Sequence, residues 1–288
     1  MNHFSEKSIL ITGASSGIGN AIALTLAGKG YTVIAAVRKS TNAEKLKSSG
    51  LTNLRPLFPL DLTKPDQIRS AADSIIKEVR EGRMPGLFAI VNVAGGGQIA
   101  PIELMDISGY RDELEKRIVG PVILLQALLP LLRQSKGRIL WIATPGLFPV
   151  PFVADIHAPD HAVNYLARTL NLELKPDGIH NILVRCGVIA TPSAERTENR
   201  LSEMLNIWPE DKSSFYKNRL LKFLQDSKKF GVKRTNPQKV ADLVFKILTA
   251  RKPRIRYRTG MMSGMGAFLE KLPQSWVDFI MMKREGRC

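Results

Sequence analysis

An apolar run, SILIT (8–12), passes directly into the glycine-rich turn GASSGIG (13–19), and residues 18–27 then carry apolar side chains at helical spacing. This junction constrains the chain more than any other feature, because a strand must end, the backbone must reverse and a helix must begin within seven residues. Gly13, Gly17 and Gly19 permit it. Backbone without a Cβ turns sharply and lets another chain or an anion approach closely, and the N–H groups at the helix start attract negative charge. Strand, glycine turn and helix in this order form the entry to a phosphate-binding βα unit, and the context carries more weight than the three glycines alone.

The alternation continues along the chain. YTVIAAV (31–37) is continuously apolar, as befits a parallel strand covered on both faces. Further short apolar runs stand at 54–60, 86–93, 137–143 and 180–186, separated by segments of helical period. The pattern predicts an α/β fold, a doubly wound parallel sheet with helices on both faces. At 44% hydrophobic and 24% charged residues, 288 residues can bury a large core, which excludes disordered, collagen-like and coiled-coil classes. We expect a single domain over 1–288: a nucleotide-binding core (1–190), a polar helical insertion covering the cleft (191–235), and a last helix, last strand and amphipathic tail (236–288).

Charge raises a separate question. Lys+Arg 42 against Asp+Glu 26 gives +16, yet residues 212–258 alone hold 15 Lys/Arg against Asp226 and Asp242. A protein that coats nucleic acid spreads its cations more widely, and no zinc-finger, homeodomain or RNP pattern is present, so nucleic acid is not an expected partner. The segment reads either as a solvated basic face or as a docking surface for an acidic acyl-carrier protein or an anionic membrane. Two cysteines, Cys186 and Cys288, make no disulfide framework, and the start MNHFSEKS lacks a signal-peptide pattern. A cytoplasmic location follows, membrane-peripheral at most. The uncharged stretch 139–154 is broken by Pro145, Pro149 and Pro151, which argues against a spanning helix there.

TGASSGIG (12–19), Asp61 in LDLT, NVAG (92–95), Cys186-Gly187 and Thr191-Pro192 together resemble the classical short-chain dehydrogenase/reductase family, and the resemblance runs through most of the chain. It implies a Rossmann-type fold and a nicotinamide dinucleotide. The cofactor-site residues it implies are Gly13, Ser15, Ser16, Gly17, Ile18 and Gly19 in the turn, Asp61 for the adenine and Leu62 beside it, Asn92, which supports the central sheet in the family, Ala94 and Gly95, then Gly187 and Thr191, which closes on the nicotinamide. Cys186 replaces the proline usual before that glycine. After the second strand, NAD-preferring members carry an acid; here Val37 is followed by Arg38, which favours the 2′-phosphate of NADP(H) over a solvated strand-end role.

Members of the family use Ser, Tyr, Lys and Asn, and none of these identities is retained. Thr144 falls on the serine position and Arg117 on the asparagine. Counting forward from Thr144 puts His157 and His161 at the tyrosine and lysine positions. Counting back from the ungapped run that ends at Cys186-Gly187 puts Ile156 and Asp160 there instead, and we prefer this second register. Ile156 exchanges no proton. Because the Lys and Asn positions neighbour one another in the family's site, Arg117 and Asp160 are expected to pair. His157 and His161 share one helical face and read as a packed or interface pair, as an acid/base pair or, least of all, as metal ligands; no third ligand is evident and no metal is expected.

Two functions remain in view. One is a repurposed biosynthetic enzyme performing cyclisation, isomerisation or an atypical reduction on a small hydrophobic, carrier-borne or free intermediate, with Arg117 polarising an oxygen, Thr144 hydrogen-bonding it and His157 as a proton carrier. The other is a non-catalytic partner subunit of an active homologue. A conventional NADP-dependent ketone/alcohol oxidoreductase using His157 and His161 belongs to the first register. The resemblance implies a homo-oligomer, dimer or tetramer, joined through the long helices near 108–132 and 156–175. The methionine- and aromatic-rich tail 261–283 reads equally as a packed helix or as a cover for substrate or membrane.

Overall fold

The computed structural model describes residues 4–144, 148–231 and 233–284. All seven expected strands form: β1 (Ser8–Ile11), β2 (Thr32–Ala36), β3 (Leu54–Leu57), β4 (Leu87–Asn92), β5 (Arg138–Ala143), β6 (His180–Cys186) and β7 (Arg256–Thr259). They make one sheet in the order β3-β2-β1-β4-β5-β6-β7, every pair parallel. Helices α1 (Gly17–Gly28), α2 (Ser40–Lys47), α3 (Pro65–Arg80), α4 (Ile107–Leu114), α5 (Gly120–Ser135) and α6 (Ala154–Leu174) alternate with the first six strands. Beyond β6 come α7 (Pro192–Met204), α8 (Glu210–Ser213), α9 (Lys217–Gly231) and α10 (Gln238–Thr249), and beyond β7 α11 (Ser263–Leu269) and α12 (Gln274–Arg284).

Strand periodicity builds two cores. In β1, Ile9 and Ile11 face one layer and Leu10 the other; in β2, Val33 and Ala35 oppose Ile34 and Ala36 in the same way. The first layer is closed by α1 and α10, through Ile22, Leu26, Val240 and Val244, and the second by α3, α5 and α6, through Ile68, Leu124, Leu128 and Val163. Because β1 is flanked by β2 and β4, the chain reverses its winding there. The C-terminal ends of β1 and β4 consequently open a crevice, where ligands bind in open α/β sheets.

Helices α4 and α5 are joined without a break by a π-helical turn, Glu115–Val119. The run Ile107–Ser135 is long and apolar enough by length and composition to cross a membrane, a candidate that the sequence reading overlooked. Its apolar side, with Leu124, Leu125, Leu128 and Leu132, packs into the second core.

The polar insertion folds as α7, α8 and α9, whose Leu201, Leu220 and Leu224 form a third cluster with Ile99 and Val153. The basic segment 212–258 is therefore divided. Part lies on α9 above the third cluster, part on α10 behind the first core, and part on the approach to the edge strand β7. One of its cations, Arg234, is buried in an ion pair with Glu198.

Candidate active site

The glycine turn sits at the C-terminal end of β1. Gly13 and Gly17 adopt φ of +67° and +55°, and a Cβ on Gly19 would stand 2.2 Å from the Gly13 carbonyl oxygen, so the turn closes only without side chains. The Thr12 hydroxyl accepts from the N–H groups of Val93 (3.0 Å) and Ala94 (3.3 Å), tying this turn to the end of β4.

A cleft of about 660 Å³ opens over these ends. Of the expected cofactor contacts, Gly13, Ser15, Ser16, Gly17, Ile18, Gly19, Arg38, Asp61, Leu62, Ala94, Gly95, Gly187 and Thr191 line it. Asn92 does not. It is buried, and its Nδ2 donates to the Leu140 carbonyl at 3.4 Å, so it braces the sheet rather than facing a ligand. The Asp61 carboxylate accepts from the backbone N–H (3.0 Å) and hydroxyl (2.9 Å) of Thr63, which fixes its orientation. Lys39 and Asn42 stand beside Arg38 in the lining, and Arg196, Thr197 and Arg200 of α7 form a wall that sequence reasoning did not single out. Their i, i+4 spacing was a legible signal of a shared face. Open glycine turn, helix N-terminus and cationic lining fit a nicotinamide dinucleotide with its pyrophosphate on the turn.

At the other end of the cleft lie Thr144, Arg117, Ile156 and Asp160. Neither His157 nor His161 lines it. One residue of helix turns a side chain by roughly 100°, and the face of α6 turned to the cleft carries 156 and 160. The His157 ring instead meets Phe148 edge-on at 6.3 Å and His161 at 6.4 Å, and burial pushes its pKa below the ordinary histidine value. His157 therefore stands off the cleft lining, on the side of α6 that faces Phe148. Ile156 packs against Gly97 so closely that a Cβ there would fall 2.1 Å from its Cγ1.

Arg117, carried by the π turn, holds the site together. Its Nη1 donates to Asp160 Oδ1 at 2.7 Å, its Nε to Glu113 Oε2 at 3.0 Å and its Nη2 to the Gly96 carbonyl at 2.9 Å. The second Asp160 oxygen accepts from the Thr144 N–H at 2.8 Å, and Glu113 also takes the Gly96 N–H (2.8 Å) and Lys116 Nζ (3.2 Å). Of the five guanidinium donors, three are thus accounted for. Burial works against both charges, but Asp160 and Glu113 overcome it and raise Arg117, while Arg117, the Gly96 N–H and Lys116 hold Glu113 below the usual carboxylate range. Glu113 was missed in the sequence, although its position four residues before Arg117 is an ion-pair spacing.

Two further groups stand nearby. Asp155 is buried with one oxygen accepting from the Gln98 N–H at 2.7 Å and the other without a hydrogen-bond partner among the described residues, and burial raises its pKa to about 6. The Cys186 thiol is pushed up to about 12, first by burial and then by Asp160, which leaves it inert as a nucleophile. Cys288 lies outside the described residues, and among the described residues no group of three or more His, Cys, Asp or Glu could hold a metal ion.

A family model for short chain dehydrogenases matches residues 7–201. A 3-amino-tetrahydro-pyrrolizinone reductase of Xenorhabdus hominickii is 31% identical over 258 residues, covering 88% of this chain and 87% of the relative. The human 11-beta-hydroxysteroid dehydrogenase type 2 is 30% identical over 274 residues, covering 91% of this chain and 66% of its own length. Among solved structures, a short-chain dehydrogenase from Streptomyces avermitilis superposes with a TM-score of 0.74 at 23% identity, covering 98% of this chain and 97% of that one. A second, from Burkholderia cenocepacia in complex with NADP, gives 0.71 at 20% identity, covering 96% and 97%. With the fold, the glycine cradle and the family match over residues 7–201 agreeing, this chain belongs to the short-chain dehydrogenase family.

Proposed function

We propose that the protein is an NADP(H)-binding member of this oxidoreductase family whose substrate end works without the family's proton donor. When bound, the nicotinamide supplies or accepts a hydride. The carrying observation is the Arg117–Asp160 pair at 2.7 Å with Ile156 beside it in the cleft. Arg117 keeps its proton at all working pH, Asp160 spends both oxygens on Arg117 and the Thr144 N–H, and Ile156 has none to give. These residues can bind and orient a polar group of the substrate: Thr144 through its hydroxyl, Arg117 through the donors not already engaged. A proton needed by the reaction comes from substrate or water, which favours an atypical reduction, isomerisation or cyclisation over ordinary carbonyl reduction.

Arg38 with Lys39 and Asn42 supports the 2′-phosphate form of the cofactor, and the cocrystallised NADP of a fold neighbour agrees with it. The relatives' names specify a pyrrolizinone and a hydroxysteroid, both small ring compounds, which supports a substrate of that class. Exposed Tyr165 and Leu172 on α6 support a subunit contact along that helix. The test is a fluorescence titration: NADPH binds, Arg38→Ala weakens it about tenfold and leaves NADH unchanged. A wild-type protein that binds neither nucleotide would sink the reading.

One observation favours a second reading, a non-catalytic partner subunit. The covering helices pack Leu201, Leu205, Leu220 and Trp208 with Phe152 around Ile156, filling apolar space beside the cleft with the protein's own side chains.

A further inference from the structure

Six large apolar side chains left exposed among the described residues fall within 265–282: Met265, Phe268, Trp276, Phe279, Ile280 and Met282. Phe268 is 61% exposed, Trp276 64% and Phe279 53%. Helix α12 explains the concentration, because it is apolar on two sides. Val277 and Met281, four residues apart, turn inward and pack with Leu269 against Phe148 and Leu272. Trp276, Phe279, Ile280 and Lys283 follow i, i+3, i+4 and i+7, so they share the outer side, where an ordinary surface helix is polar. Anchoring the helix accounts for the inner stripe and leaves the outer one without a partner among the described residues.

Charge selects the occupant. Residues 251–284 hold eight Lys/Arg against two acids, Glu270 and Asp278. Glu270 is already paired with buried Arg185, whose Nη2 also donates to Asn164 Oδ1 at 3.0 Å; this ties α11 to the sheet and removes one of the two negative charges. Arg251, Lys252, Arg254, Arg256 and Arg258 are exposed on the approach to β7 and along it. β7 packs against α11, and Arg256 lies within electrostatic reach of Glu270. The cations of β7 therefore border α11, whose Leu269 packs against Val277 and Met281 of α12. A symmetric contact between two copies would set this positive charge against itself. A bilayer with anionic headgroups satisfies both features: aromatic and aliphatic side chains enter the headgroup boundary, and Lys/Arg meet the lipid charge.

We propose that the outer face of α12, with α11 and the cations of 251–258, is a docking surface for an anionic lipid bilayer. It lies apart from the cleft, whose lining includes no residue of α11 or α12. The location is narrower than the basic segment read from sequence, since most of that segment lies on α9 and α10.

The test uses the full chain and sedimentation with vesicles of phosphatidylcholine alone or mixed with phosphatidylserine. Protein is expected to pellet with the anionic vesicles, to be released about tenfold by high salt, and to shift its tryptophan emission to the blue, a shift lost in Trp276→Phe. Phe279→Ser with Ile280→Ser, both outward-facing, should lower binding about tenfold or more while the circular dichroism melting curve stays in place. Arg251→Glu with Lys252→Glu and Arg254→Glu is the companion variant should that pair fail to fold, and it should abolish the preference for anionic lipid. No pelleting at low salt, equal binding to neutral vesicles, or a concentration-dependent dimer abolished by the same serine variants would each overturn the proposal, the last in favour of a second copy.

Discussion

Arg117 and Asp160, 43 positions apart, meet at 2.7 Å, and the Asp160 carboxylate is also bonded to the Thr144 N–H at 2.8 Å. One ion pair thus joins the π turn between α4 and α5, the start of α6 and the end of β5. π turns interrupt helices mostly at functional sites, and here the turn carries the guanidinium that unites three elements around the cleft. The side chains are 14% and 3% exposed, so the Asp160 charge depends on its protein partners while Arg117 keeps an edge on the cleft.

Arg117→Met is expected to destabilise the fold by about 3–5 kcal/mol, because it leaves the Glu113 and Asp160 carboxylates buried without their shared cation. Chemical denaturation measures this. A loss below about 1 kcal/mol, typical of exposed pairs, would show that the three groups are not coupled as described.

Installing the family's identities tests the register that puts Ile156 and Asp160 at the tyrosine and lysine positions. The triple variant Ile156→Tyr, Asp160→Lys, Arg117→Asn restores an acid and a lysine on the cleft face of α6. Reduction of simple ketones, followed by NADPH absorbance, should rise about 100-fold over the unmodified protein if positioning of the acid is sound. Placing tyrosine and lysine at 157 and 161 should give no such gain, since that face is turned to Phe148. The reverse result would reinstate the first register.

Asp155 predicts a pH effect with a definite sign. Burial raises its folded-state pKa from 3.8 to about 6, so between these values the folded state holds a proton that the unfolded chain releases. Stability is therefore highest below about pH 4 as far as this group is concerned and falls as pH rises toward 6, by on the order of 2 kcal/mol. Asp155→Asn, which can still accept from the Gln98 N–H, should flatten this window in pH-dependent urea melts. A variant with the same slope as the parent would remove Asp155 as its source.

How far the sequence could be read depends on the range of the interaction. Six strands were marked by apolar runs, because side-chain alternation and burial on both faces are properties of a few consecutive residues, whereas the edge strand β7, with the sequence RYRT, was expected from the resemblance alone. The glycine turn was equally local: φ values of +67° and +55° at Gly13 and Gly17 are written into residue type. Positions brought together by packing were harder. Glu113 was passed over although it stands one turn from Arg117, and the sheet-supporting role that the resemblance implies for Asn92 becomes a definite contact only through Leu140 in the neighbouring strand.

The histidines show the limit most clearly. His157 and His161 have the chemistry for acid/base work, and composition alone cannot rank them against Ile156 and Asp160. A rotation of roughly 100° per residue decides between the two sets, and that rotation is set by how α6 packs its Val163 and Ala167 against the sheet. The basic segment is a second case: 47 consecutive residues, 212–258, look like one patch on paper and become faces on α9, α10 and β7 once the chain is wound. By itself, then, the sequence determined the parallel sheet and the glycine-rich turn at the end of its first strand, because these are stored in local pattern and residue type. The tertiary structure alone decided which helix face meets the cleft, which charges neutralise one another and where the unpartnered apolar stripe lies, because those depend on contacts between residues far apart in the chain.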